Sequence, residues 1–210
     1  MLKDIEVLCH SSIKINKEKI IYIDPFKIQK EYKDADIIMI THSHYDHFSE
    51  EDINKVKKDN TKICITKDLE ERALNLGFCK ENILIVEPNK KYNIEEIKFE
   101  TIPAYNISKQ FHPKENNWVG YIIEINNIKY YVAGDTDITK ENKNVKCDIA
   151  FVPVGGTYTM DSKEAAELVN IIKPKVAVPV HYGTIVGTKE DAENFAKMIN
   201  KDISCAILIK

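Results

Sequence analysis

"ADIIMITHSHYDHFSEED", residues 35 to 52, joins an apolar run to an acidic one through a stretch holding His42, His44, Asp46 and His47. The chain has six histidines, and three of them fall within these six positions, a concentration that a polar connector does not need. The run up to Thr41 predicts a buried strand. "SEED" offers Ser49 as a cap and an acidic first turn before "INKVKKD" (53–59), which predicts a helix from Ser49 through that run. The cluster is then a loop between a strand and a helix N-terminus, where a rigid scaffold presents functional groups. His42 and His44, two apart, lean the same way in extended backbone, and Asp46 and His47 turn with the loop. Imidazole nitrogen and carboxylate oxygen are the usual donors to zinc and its borderline neighbours.

Working outward, "IEVLCHSSIKI" (5–15) and "KIIYIDP" (19–25) read as strands before the cluster. After it come a strand "KICIT" (62–66), a helix "DLEERALNLG" (68–77) closed by Gly77, and a short strand "NILIVEP" (82–88). The middle of the chain is β-rich: "EIKFETIPA" (96–104), "WVGYIIEI" (118–125) and "IKYYVAG" (128–134), with Asn126 and Asn127 predicting a hairpin turn. Strand and helix then alternate: "DIAFVPV" (148–154), helix 161–173, "KVAVPVHYG" (175–183), helix 189–200, and a last strand "SCAILIK" (204–210). Each half supplies several strands and then strand–helix units. Two mixed sheets with helices covering the outside satisfy that order. No linker, low-complexity tract or repeat interrupts it, so residues 1–210 are expected to form a single domain.

A hydrophobic fraction of 43% allows a real core, and a net charge of −3 gives no reason to expect nucleic acid or an anionic membrane as partner. Lysine-rich patches such as Lys55, Lys57 and Lys58 read as solvated faces, without the aromatic interleaving that stacks bases. Arg72 is the one arginine, which counts against a cluster built to grip phosphate. The five cysteines are scattered and never spaced C-x-x-C, so they read as reduced thiols of a cytoplasmic protein. "MLKDIEVL" lacks the apolar region of a signal peptide, and no apolar run approaches the ~18 residues of a membrane span. The sequence carries no signal for oligomeric state.

A metal at the histidine loop needs further ligands at other strand ends. "YYVAGDTD" supplies Asp135 and "VAVPVHYGT" supplies His181, each directly after an apolar strand. Alone, Asp135 reads equally well as a turn residue and His181 as a satisfied histidine. The repetition favours the metal. H-x-H-x-D-H at 42–47 followed by "GDTD" and "PVHYG" resembles the metallo-β-lactamase superfamily, and "IDP" at 23–25 and "PVGGTYTMDSKEAA" fit in order. The likeness covers nearly the whole chain. It is strongest to the small stand-alone hydrolase branch, similar to bacterial ascorbate-6-phosphate lactonases.

The resemblance implies an α/β (α+β) four-layer αββα sandwich with one or two divalent ions at one edge, zinc first and manganese or iron as alternatives. It implies His42 and His44 as ligands of one metal, Asp46, His47 and His181 of a second, and Asp135 as the bridge. Asp24 matches an acidic residue that supports a ligating histidine, and His10, in "CHSS", a histidine that contacts substrate. Where the family has a further histidine, this chain has Asn106. Either the first site is weak, or it prefers a harder metal, or water fills it, or His112 takes the place. Asn106 and His112 are therefore candidate substrate or metal contacts, in the segment "YNISKQFHPKENNW" (105–118) expected at the entrance. The expected activity is hydrolysis of a small ester, lactone or phosphoester by a metal-activated hydroxide, with Asp46 orienting it. No G-x-S-x-G elbow supplies a protein nucleophile. The alternatives are an RNA-processing nuclease of the same fold and a non-catalytic binding protein with a degenerate site.

Overall fold

The computed structural model describes residues 2–209. The chain divides into two compact units, one up to Val86 and one from Glu87. Among the described residues, each unit holds one mixed sheet whose strands follow one another in chain order.

In the first unit β1 (Ile5–Cys9), β2 (Ser12–Asn16) and β3 (Ile20–Ile23) form an antiparallel meander. Strands β4 (Ala35–Met39), β5 (Lys57–Ile65) and β6 (Ile83–Ile85) extend it in parallel. The isoleucine runs of β3 and β4 are the near-continuous apolar stretches that a strand covered on both faces requires. Helix α1 (Glu50–Val56) links β4 to β5, and α2 (Glu70–Asn75) links β5 to β6. Ile53 and Val56 of α1 and Ala73 of α2, with Leu69 just before α2, close over Tyr22, Ile38 and Ile63. Ser49 caps α1 as predicted, its side chain accepting from the Asp52 amide.

Two elements differ from the sequence reading here. The run 5–15 is not one strand: it breaks at His10, in left-handed backbone with φ 53°, and folds back as a hairpin. Helix α1 stops at Val56, and the polar residues after it begin β5. They are held there by tertiary acceptors: Lys58 Nζ reaches Asp36 at 2.7 Å, and Thr61 Oγ1 donates to the Ala35 carbonyl at 2.6 Å.

In the second unit β7 (Lys91–Ile94), β8 (Ile97–Pro103), β9 (Val119–Ile125) and β10 (Ile128–Val132) are antiparallel. Strands β11 (Ile149–Pro153), β12 (Val176–Val180) and β13 (Ser204–Cys205) continue in parallel. Helices α3 (Ser162–Ile172) and α4 (Lys189–Met198) form the crossovers, burying Leu168, Val169 and Phe195 against Val152 and Ala177. Asp161 and Glu164 make a reciprocal capping box at the start of α3. Asn126 and Asn127 turn the β9–β10 hairpin with φ of 52° and 60°, as their side chains permit. Strand β7 was not expected. The final strand is shorter than expected, ending in the ladder at Cys205, and Lys210 lies outside the described residues.

Strand direction fixes where function can sit. In the first unit β1, β3 and β4 run the same way, so the β1–β2 turn and the C-terminal ends of β3 and β4 share one edge. In the second, β8, β10 and β12 run the same way and their C-terminal ends share an edge.

Candidate metal centre

All six histidines of the chain stand at these two edges. In the first unit His10 occupies the β1–β2 turn, Asp24 follows β3, and His42, His44, Asp46 and His47 follow β4. His10, Asp24, His42, Asp46 and His47 are buried and His44 is half-buried. His10 and Asp24 both take positive φ, 53° and 47°. Side chains in that region are strained, and such strain concentrates at functional sites.

Asp24 organises this edge. Its Oδ1 accepts the Thr41 amide at 2.8 Å, and its Oδ2 accepts Thr41 Oγ1 and His47 Nδ1, each at 2.7 Å. Complete burial pushes the Asp24 carboxyl up, and His47 and the Thr41 donors pull it back. Three donors on two oxygens leave Asp24 an acceptor, so the His47 proton sits on Nδ1. Thr41, having donated its hydroxyl hydrogen to Asp24, accepts from His42 Nδ1 at 2.9 Å. Both rings therefore carry their lone pair on Nε2. His47 Nε2 faces Asp46 Oδ2 at 3.4 Å, and His42 Nε2 faces His44 Nδ1 at 3.1 Å. His10 Nε2 also stands 3.4 Å from Asp46 Oδ2. The ring is fully buried and is a neighbour of Asp46.

Behind the loop, Arg72 of α2 donates to the carbonyls of Ser43 and Phe48. Buried Asp52 accepts the amides of Lys27 and Ile28 at 2.8 and 2.9 Å, tying the segment after Asp24 to α1. Neither role was visible in sequence, where Arg72 was only a scarce residue type and Asp52 one of three acids in a first turn.

In the second unit Asp135 follows β10 and His181 follows β12, as expected. Asp135 Oδ2 lies 2.9 Å from His181 Nε2 and 3.2 Å from His112 Nε2. His181 has φ 59°, and Gly155 packs so closely that a Cβ there would lie 2.4 Å from the His181 carbonyl oxygen. Asn106 does not direct its amide at Asp135. Its Oδ1 accepts both the backbone N–H of His112, at 3.0 Å, and His112 Nδ1, at 3.1 Å. Its Nδ2 donates to Asp137 Oδ1 and the Tyr158 carbonyl. The residue facing the carboxylate at this edge is thus His112. Asp137, two positions beyond Asp135, was missed; its only sequence signal is the second aspartate of "GDTD".

The donors at both edges suit a divalent ion. Carboxylate oxygens and imidazole nitrogens with outward lone pairs face one another at about 3 Å, and a shared cation reconciles such neighbours. Buried histidine and aspartate clusters able to hold metal, set at the strand ends of mixed sheets, define a metal-binding α+β enzyme.

Residues 4–181 match the model of the β-lactamase superfamily domain, and the chain belongs to that superfamily. It is similar to a UPF0173 metal-dependent hydrolase of Thermococcus onnurineus, 31% identical over 97% of this chain and 95% of that one. Among solved structures it resembles a candidate metal-dependent hydrolase from Parabacteroides distasonis, 30% identical with a TM-score of 0.79, covering 97% of this chain and 91% of that one. A candidate zinc-dependent hydrolase of the metallo-β-lactamase superfamily from Thermotoga maritima, 22% identical with a TM-score of 0.64 over 97% and 96%, shares the fold. The chain is a metal-dependent hydrolase with the metallo-β-lactamase fold. No helix among the described residues is long and apolar enough to cross a membrane.

Proposed function

We propose that this hydrolase acts on a small carboxylic ester or lactone, using one or two divalent ions, zinc first and manganese or iron as alternatives. The candidate ligands are His42, His44, Asp46, His47, Asp135 and His181, as the family resemblance implies, with His112 added by its place beside Asp135. The observation that carries the reading is the fixed tautomer of His42, His47 and His112, whose Nδ1 hydrogens are taken up by Thr41, Asp24 and Asn106. The family match spans both units, which supports one functional domain over residues 1–210. The scattered cysteines support a cytoplasmic protein.

When bound, a divalent ion acts as a Lewis acid and brings a coordinated water's pKa toward neutrality. Asp46 is the group to take up the proton of an attacking water at Oδ2 and return it to the leaving group. His10 Nε2 and His47 Nε2 each lie 3.4 Å from that oxygen. Thr41 and Asp24 keep His42 and His47 from turning. A protein nucleophile is disfavoured: burial pushes the Cys64 thiol up, and the thiols of Cys147 and Cys205 to about 12 and about 11. Acyl substrates are favoured over phosphoesters because the one arginine, Arg72, is engaged with Ser43, Phe48 and Glu50, and Lys109 with Asp137. Exposed Ile107 and Phe111, the latter edge-on to Tyr158 at 4.7 Å, support a substrate with an apolar part.

The test is metal analysis of protein purified without chelator, then a panel of aryl esters, lactones (a sugar-phosphate lactone included) and phosphodiesters. Metal-dependent turnover of ester or lactone is expected, with Asp46→Asn slower by roughly 10²- to 10⁴-fold. Full turnover by chelated protein, or an unaffected Asp46→Asn variant, would sink the mechanism. Turnover of phosphodiesters alone would move the reading to a nuclease.

A further inference from the structure

We infer that Asn106 is a positioning residue for His112, selecting its tautomer and aiming its Nε2, and that Asp137 and Lys109 fix the amide that does so. The inference rests on the proposed role of His112 as a ligand. Asn106 is buried, and its amide orientation follows from its neighbours. One end meets two acceptors, Asp137 Oδ1 at 3.2 Å and the Tyr158 carbonyl at 3.0 Å, so that end is Nδ2. The other end meets the His112 backbone N–H, a donor, so it is Oδ1. An amide oxygen can only accept, so His112 Nδ1, 3.1 Å away, carries the hydrogen, and its lone pair on Nε2 faces Asp135.

Both lone pairs of Oδ1 are in use. Asn106 cannot bind a metal without releasing His112. Asp137 in turn accepts Lys109 Nζ at 2.6 Å and the Ile107 amide at 2.8 Å, besides Asn106. The backbone closes the same loop, since Asn106 N donates to the His112 carbonyl at 2.8 Å and Asp137 N to the Tyr105 carbonyl at 3.0 Å. Lys109, Asp137, Asn106 and His112 form one chain of contacts, in which an amide is interposed between a carboxylate and a candidate ligand imidazole. A carboxylate bonded directly to the imidazole would do the same orienting work. The interposed amide transmits direction without placing a second full negative charge against the ring.

Two measurements on the full chain test this. In ¹⁵N-histidine-labelled, chelator-treated wild type, long-range proton–nitrogen correlations should show His112 protonated at Nδ1; a ring protonated at Nε2 overturns the inference. Cobalt(II) titration, read by its visible spectrum, then compares wild type with His112→Ala, Asn106→Ala and Asn106→His. Asn106→Ala should weaken one site by roughly 10- to 100-fold, the range for groups that orient a ligand. Asn106→His should weaken it too, because the acceptor for both His112 donors is gone. If His112→Ala leaves affinity unchanged, the ligand assignment itself fails. If His112→Ala weakens the site while Asn106→Ala does not, or if Asn106→His tightens it, only the positioning role fails.

Discussion

Arg72 shows what a single residue does for a loop it does not belong to. Its guanidinium donates to the carbonyls of Ser43 at 3.2 Å and Phe48 at 3.4 Å, and stacks 4.4 Å from the centre of the Phe48 ring. The two carbonyls bracket His44, Asp46 and His47, so one rigid fork holds the loop on both sides of these three residues. Its third contact, Glu50, is solvent-exposed and adds little. Lysine cannot span two carbonyls and stack at once. Arg72→Lys should therefore cost about 1–2 kcal/mol of stability. It should also raise amide exchange across residues 43–48 and loosen metal binding, whereas Glu50→Ala should do neither. Exchange mass spectrometry and thermal unfolding of the two variants check this, and equal protection of the loop in Arg72→Lys and wild type would remove the clasp.

At the scale of elements, the sequence was legible wherever a segment's own chemistry decided its structure. The apolar runs of β4, β11 and β12, the cap at Ser49, and the Asn126–Asn127 turn all state locally what they become. Strand β7 was hidden because it alternates exposed and half-buried residues at a sheet edge. Its turn into β8 uses Glu95 and Glu96 at φ 48° and 69°, where asparagine or glycine would have signalled it. The candidate site divides along the same line. Residues directly after apolar strands could be read, but the tie from Asn106 to His112 depends on Asp137 and Tyr158, 31 and 52 positions away. The loop after β11 adds a test at this scale. Gly155 pairs with Asp161 in an isolated bridge, and its missing side chain lets this loop lie against the end of β12. A methyl group there would meet the His181 carbonyl at 2.4 Å and His181 Nδ1 at 3.3 Å. Gly155→Ala should displace His181 and weaken metal binding at least tenfold, with far-ultraviolet dichroism unchanged. Unaltered metal affinity would mean that the loop yields and His181 does not.

Across the whole molecule, the proposed ligands come from two stretches of chain, residues 42–47 and residues 112–181, and whether the stretches hold ions together or apart has a thermodynamic signature. A ligand that binds only the folded state stabilises it in proportion to the logarithm of its excess over Kd, about 2.7 kcal/mol at a hundredfold excess. Chelator-treated protein should therefore melt lower than zinc-loaded protein, and added zinc should restore the difference. The variants decide who owns the increment. If ions are shared, His47→Ala and His181→Ala should each abolish most of the zinc-dependent rise in Tm, and the double variant should lose little more, because each ion needs ligands from both stretches. Residues that act as a unit are non-additive in this way. If each stretch held an ion alone, the two single variants would each remove only their own part, and their losses would add up to that of the double variant. Scanning calorimetry of the four proteins, each with and without zinc, separates the cases: non-additive losses assign shared ions, and additive losses assign two independent sites.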